Sequence, residues 1–120
     1  MVKPFRKPRR VDAVKRAAAG VRGDCFAYAF QEAMRYIDAG EPAPEMIIVH
    51  GAVRGGLAHA WVERGGFAYD WQTFAVNGAE PCALEVFRQQ HKPRDETRYQ
   101  PRGAVALAAR SGHAGPWTDQ

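Results

Sequence analysis

The chain is 120 residues long, 46% hydrophobic, and carries a formal net charge of +4. This length suits one compact domain and leaves no room for a second independent core. The longest apolar stretches, residues 46–49 and 104–109, are far shorter than the roughly 18 residues of a membrane-spanning helix, so we expect neither a membrane segment nor a membrane partner.

The N-terminal part of the chain is strongly basic. Residues 1–22 hold eight Lys and Arg residues against one Asp, a net charge of +7, so the rest of the chain carries about −3. We predict an extended arm over residues 1–10, followed by a short helix over residues 11–19. Two interpretations of the arm stay open: a solvated terminus that aids solubility, or a segment that contacts nucleic acid or an acidic partner.

This basic region lacks the pattern of an export signal. Charged residues interrupt residues 11–21, where a secretory signal needs an apolar core. The two cysteines, Cys25 and Cys82, are therefore expected to be reduced thiols rather than a disulfide. We expect the protein to be cytoplasmic.

A second helix is predicted to begin near Asp24, which is a suitable N-cap residue, and to end at Gly40. This places Cys25 in the first turn. The apolar residues of one face recur in steps of four, three and four, which matches the helical period; they are Phe26, Phe30, Ala33 and Ile37. We expect this helix to be central and buried.

The middle of the chain alternates short apolar runs with glycine-rich turns. Residues 46–50 are rich in branched side chains and predict an internal strand. Residues 57–63 and 67–72 flank the sequence Arg-Gly-Gly at residues 64–66, which predicts a hairpin of two strands. The helix that contains Cys25 is expected to pack on the resulting short antiparallel sheet, giving an α+β fold.

The last third of the chain is predicted to add a further, shorter helix over residues 82–91 and a strand over residues 105–109 that closes the sheet. We divide the chain into a basic arm with a short helix (residues 1–16), one domain (residues 17–110) and a flexible tail (residues 111–120). Nothing in the sequence indicates the oligomeric state.

The predicted hairpin brings a histidine and a carboxylate to one face of the sheet. Side chains alternate along a strand, so the position of the turn decides which of them face each other. A two-residue turn at residues 65–66 places His59 opposite Gln72, and a turn at residues 64–65 places it opposite Asp70. In both registers His59 and Asp70 share a face, and their backbone positions lie about 4.5–8 Å apart. A three-residue loop would put them on opposite faces unless a bulge corrected it.

Cys25, His59 and Asp70 are the residue types of cysteine-dependent acyl transfer. A helix N-terminus stabilises a thiolate, although the neighbouring Asp24 opposes this unless its carboxylate caps the helix. A carboxylate beside an imidazole fixes its tautomer and stabilises the imidazolium. Two plainer interpretations stay open: a small buried cysteine in a helix, and a His-Asp pair on an exposed sheet face.

The order of these segments resembles the papain-like superfamily. The sequence Arg-Gly-Asp-Cys-Phe-Ala at residues 22–27 opens a helix, His-Ala-Trp-Val-Glu follows at residues 59–63, and Asp70 lies in the next strand. The His-Ala-Trp strand is most similar to transglutaminase-like proteases, and Arg-Gly-x-Cys-Phe is similar to arylamine N-acetyltransferases. Small phage and bacterial proteins share the wider pattern, including Val-His-Gly at residues 49–51. The likeness covers about residues 21–73.

This resemblance implies a minimal papain-like core and a hydrolase or acyltransferase that acts on an amide, isopeptide or thioester bond of a protein or peptide. Cys25 would be the nucleophile, His59 the general base and acid, and Asp70 the residue that orients the imidazole. No cofactor is implied. The sequence departs from the family at the oxyanion hole, since no glutamine precedes Cys25, and backbone amides would have to supply the donors.

Three further residues are candidates for substrate binding or for shielding the site. Trp61, on the His59 face, is expected to exclude water from the His-Asp pair or to be a core aromatic residue. His50, at the predicted end of a strand, is a substrate contact, an alternative base or a cap of that strand. Gln72 faces His59 in one of the two registers.

The remaining histidine and cysteine residues suggest no separate chemistry. Cys82 is expected to be structural, and His91 to interact with a helix dipole. We expect no metal site, because no Cys-x-x-Cys pair is present and the four histidines lack a zinc-ligand spacing. The alternative to an enzyme is a non-catalytic phage or bacterial binding protein on the same fold that contacts nucleic acid or an acidic partner through residues 1–22.

Overall fold

A computed structural model describes residues 24–70 and 81–117 of the chain. The elements in chain order are helix α1 (Asp24–Asp38), strands β1 (Met46–Val53), β2 (Leu57–Arg64), β3 (Phe67–Tyr69) and β4 (Cys82–Ala83), helix α2 (Leu84–His91), strand β5 (Arg94–Tyr99) and helix α3 (Pro101–Ser111). The predicted basic arm, the predicted helix over residues 11–19, and Gln72 lie outside the described residues.

The five strands form one antiparallel sheet in the order β4-β3-β2-β1-β5. Strands β2 and β3 pair Arg64 with Phe67, so the connecting turn consists of Gly65 and Gly66. Both glycines have positive φ angles, 59° and 84°, as a tight hairpin turn of this length requires. The register is the first of the two that the sequence allows.

Helices cover both faces of this sheet. Because side chains alternate along β2, Ala60 and Val62 pack in one core with α1 and α3, whereas Trp61 packs on the opposite face against Phe87 of α2. The prediction of an α+β fold, with a helix that begins at the cysteine and packs on an antiparallel sheet, is confirmed.

Two predicted elements near the C-terminus differ from the structure. The helix predicted over residues 82–91 begins only at Leu84, because Cys82–Ala83 pairs with β3 as strand β4. The prediction of a strand over residues 105–109 was wrong. These residues belong to helix α3, which opens with Pro101, a residue whose fixed φ suits the first helical position.

The polar strand β5 and the fold of the C-terminal segment were also missed. Strand β5 lies at the sheet edge beside β1 and carries the sequence Arg-Asp-Glu-Thr-Arg-Tyr, which has no apolar alternation. We predicted a flexible tail over residues 111–120. Up to Trp117 the structure differs, because Ala114 and Trp117 are buried in the core with α1. Residues 118–120 lie outside the described part.

Candidate active site

His59 and Asp70 form a buried hydrogen-bonded pair. His59 is the third residue of β2, and Asp70 directly follows β3. The Nε2–H group of His59 donates to Oδ2 of Asp70 at 2.8 Å, with the residues 8% and 1% exposed. The pairing that side-chain alternation predicts is therefore present, and it lies in the interior rather than on an exposed sheet face.

Cys25 contacts the same imidazole. It lies in the first turn of α1, it is 4% exposed, and its side chain is hydrogen-bonded to His59. Since Asp70 occupies Nε2, Nδ1 is the ring nitrogen that faces the thiol. The three groups thus form a continuous chain of thiol, imidazole and carboxylate. The side chain of Asp24 is not among those described, so its role as a helix cap stays a prediction.

The charges around His59 favour its protonated form. Burial alone lowers the pKa of the imidazole, but the hydrogen bonds to Asp70 and Cys25 and the negative charge of Asp70 raise it more, to about 9. The ring is therefore an imidazolium at neutral pH. It lies beside the sulfur atom at the positive end of the α1 dipole.

Two aromatic rings lie nearly parallel to the imidazole of His59. The Trp61 ring is 6.0 Å from it with an interplanar angle of 25°, and the His91 ring is 6.1 Å from it at 21°. Trp61 is fully buried, so its placement is that expected of a shielding residue. His91 was missed as part of these surroundings. It ends helix α2, and no local pattern in the sequence indicates that this helix end meets β2.

A partly buried charge network contacts the indole of Trp61. The indole Nε1–H of Trp61 donates to Oε2 of Glu63 at 3.0 Å, and Glu63 is 7% exposed. Arg88 of α2 donates to the same carboxylate at 3.1 Å, and Arg98 of β5 donates to its other oxygen. Both arginines also bind Glu96. The network therefore joins α2, β2 and β5 behind the ring that stacks on His59.

His50 does not belong to the hydrogen-bonded chain of Cys25, His59 and Asp70. It lies inside β1, which continues to Val53, so the prediction that it ends a strand was wrong. The ring is 7% exposed, and burial lowers its pKa to about 4, which makes it a weak base. No described residue forms a hydrogen bond with its Nδ1 atom. The base beside Cys25 is therefore His59 and not His50.

A cavity of about 170 Å³ adjoins the candidate site. Its walls include Phe26 and Ala58, the chain neighbours of Cys25 and His59, together with Gly51, which pairs with His59 across β1 and β2. His50 lines the same cavity. Neither Cys25 nor His59 lines the cavity itself, and because side chains alternate along β2, Ala58 and His59 point to opposite faces of the sheet.

The structure thus brings together Cys25, His59, Asp70 and Trp61, places His50 in the adjoining cavity, and leaves Gln72 outside the described residues. Cys82 is a free, partly buried thiol in β4. Cys25 lies in the first turn of α1, and a helix leaves its first four backbone N–H groups without partners inside the helix.

Comparisons with known proteins returned no match: no protein-family model, no curated protein and no solved structure matches this chain. The papain-like resemblance therefore rests on the order and placement of the motifs. Within the described residues, no helix is long and apolar enough to cross a membrane. The same part of the chain contains no group of three metal-ligating side chains that could hold an ion.

Proposed function

We propose that this protein is a cysteine-dependent hydrolase or acyltransferase that acts on an amide, isopeptide or thioester bond. The proposal depends on one observation: Asp70, His59 and Cys25 form a buried chain of hydrogen bonds at the N-terminus of α1. A protein or peptide is the expected substrate.

The reaction begins with the attack of the Cys25 thiolate on a carbonyl carbon. His59 takes the proton of the Cys25 thiol, and the resulting imidazolium stabilises the thiolate and then donates a proton to the leaving nitrogen or sulfur atom. Asp70 keeps the ring oriented and stabilises its charged form. The neutral imidazole that remains removes a proton from water or from an amine, which attacks the acyl-enzyme. The products are a hydrolysed or a transferred acyl group and the regenerated thiol.

The developing negative charge on the carbonyl oxygen needs hydrogen-bond donors. We assign this role to backbone N–H groups at the start of α1, which point out of the helix end near Cys25. The helix dipole adds to the same stabilisation. This arrangement requires no glutamine side chain before the cysteine.

A purely structural role explains the His59-Asp70 pair less well. Burial of two ionised groups carries a desolvation cost, and apolar side chains of similar volume usually give equal or greater stability. Apolar side chains would also serve the structure as well as a thiol that is hydrogen-bonded to this ring. The rival function, a binding protein that uses the basic residues 1–22, predicts no special reactivity of Cys25. Cys25 and Cys82 form no disulfide bond, which is compatible with a reducing, cytoplasmic location.

Alkylation by iodoacetamide at pH 7 tests the proposal. In a Cys82→Ser background only Cys25 reacts, and we expect His59→Ala to slow its alkylation by about 10²-fold, because the imidazolium that stabilises the thiolate is lost. His113→Ala, which removes an exposed histidine outside the site, is the matched control and leaves the rate unchanged. Mass spectrometry locates the label.

An acyl-enzyme assay completes this test. Incubation with p-nitrophenyl acetate is expected to acetylate Cys25 in the Cys82→Ser protein and to release one equivalent of nitrophenol rapidly. Equal alkylation rates for the parent and the His59→Ala protein, together with no acetylated Cys25, would reject the activated thiol and favour the binding-protein alternative.

A further inference from the structure

The cavity beside Cys25 is surrounded by aromatic rings. The His50 ring stacks on Trp117 at 4.9 Å and meets the edges of Phe26 and Tyr99 at 4.8 and 5.0 Å. Tyr99 and Trp117 are themselves perpendicular at 5.2 Å. These four residues come from β1, α1, β5 and the segment after α3, so the whole fold contributes to the cavity wall.

The cavity also has an acidic rim. Asp95 lines it from β5, is exposed, and forms no ion pair with any described residue. The backbone fixes this position, because β5 bulges opposite Gly51 and Asp95 adopts a φ of 54° within the bulge. A non-glycine residue held in this conformation is typical of a functional position.

Nothing on the described walls supplies a positive charge. The lining residues include neither lysine nor arginine, and burial keeps the His50 imidazole neutral at physiological pH. Thr97 adds a hydroxyl group near Asp95. The cavity therefore combines a wall of four aromatic rings with one carboxylate that has no counter-ion in the described structure.

His50 contributes a buried imidazole to the cavity wall. The residue is more than nine-tenths buried, and its Nδ1 atom, which has no hydrogen-bond partner among the described residues, is not exposed to the cavity. A quaternary ammonium ion has no N–H group to donate, so His50 would contact such an ion through its ring and not through Nδ1.

We propose that this cavity binds an alkylammonium group. Aromatic faces with a carboxylate at the rim attract such cations through the ring quadrupoles and through direct charge pairing. The volume of about 170 Å³ suits a trimethylammonium head group or the end of a lysine-like chain, since an engineered cavity of about 150 Å³ accommodates benzene. This inference is independent of the proposed function, because neither Cys25 nor His59 lines the cavity.

Choline chloride and its neutral analogue, in which a tert-butyl group replaces the trimethylammonium group, test this proposal directly. Each is titrated into the nitrogen-labelled full-length protein at constant ionic strength, and the indole N–H signal of Trp117 and the amide of Thr97 are followed by NMR. We expect saturable shifts with choline and an affinity for the neutral analogue that is at least about tenfold weaker.

Asp95→Asn isolates the contribution of the carboxylate, because asparagine tolerates the left-handed backbone of the bulge. We expect this variant to bind choline about tenfold more weakly. The control is Asp38→Asn, which removes the same charge from an exposed position at the end of α1 and leaves the affinity unchanged.

Equal affinity for choline and the neutral analogue would overturn the proposal, as would equal affinity of the Asp95→Asn and parent proteins for choline, or no binding by the parent protein. The measurement does not depend on catalysis. Choline binding by a protein whose Cys25 fails the alkylation and acetylation tests would reject the proposed function and retain the ammonium site. An activated Cys25 with no choline binding would do the reverse.

Discussion

Replacement of Asp70 by asparagine is expected to change how the stability of the protein depends on pH. The substitution keeps the shape of the side chain and removes the charge that holds the His59 proton. In the parent protein the pKa of His59 is raised from its ordinary value of 6.5 to about 9. Below pH 6.5 the folded and unfolded chains both hold this proton, and the whole stabilisation is present.

Between pH 6.5 and about 9 the unfolded chain releases the proton while the folded chain keeps it. The free energy of unfolding therefore falls across this window, by about 3 kcal/mol for a shift of this size. In Asp70→Asn, burial still lowers the pKa of His59 and only the contact with Cys25 still raises it, so the decrease becomes much smaller. The pKa values of His50 and His91 are lowered, so their contributions change with pH below 6.5 and do not interfere in this window.

Urea unfolding of both proteins at several pH values between 6.5 and 9 measures this difference, and NMR titration of the His59 ring supplies the pKa independently. His59→Gln identifies the ring signal and serves as the control, since it lacks the titrating group. A parent His59 that titrates below pH 7, or the same decrease in stability in Asp70→Asn, would refute this account of the pair.

Two further substitutions test the surroundings of the site. Glu63→Ala removes the acceptor of the Trp61 indole and a partner of Arg88. We expect urea unfolding to show a loss of about 1–3 kcal/mol, because the buried indole N–H loses its acceptor while the arginines can turn to solvent; an unchanged midpoint would mean that the network is not stabilising. Gly115→Ala would place a β-carbon 2.6 Å from Cε1 of His50, at a position where the backbone φ is 114°. We expect about 1–3 kcal/mol of destabilisation and altered tryptophan fluorescence. A variant with parent-like stability would contradict the close packing of this segment.

The parts of the fold that could be predicted from the sequence are determined locally. Gly65 and Gly66 define the hairpin turn by themselves, because few other residues adopt two consecutive positive φ angles. Once the turn is placed, the alternation of side chains puts His59 and Asp70 on one face. The helix that carries Cys25 was equally predictable from the sequence, since its apolar residues recur with a regular helical period.

The missed elements have causes that lie outside their own segments. Strand β5 contains no apolar alternation because Arg98 and Glu96 form ion pairs with residues of β2 and α2 instead of packing in a core. Residues 105–109 are apolar enough for a strand, and the helix there follows from Pro101 at its start and from packing against α1. The cavity could not be predicted, because its rings converge from four separate segments.

The ladder between β2 and β3 determines on which face the Asp70 carboxylate lies. Its last described pair joins Val62 to Tyr69, and Asp70 follows directly, so Asp70 shares the face of His59 in this register. A shift of one residue would turn Asp70 to the other face of the sheet. The length of the glycine turn thus helps to set the pKa of His59, and one residue inserted between Gly65 and Gly66 is expected to lower that pKa.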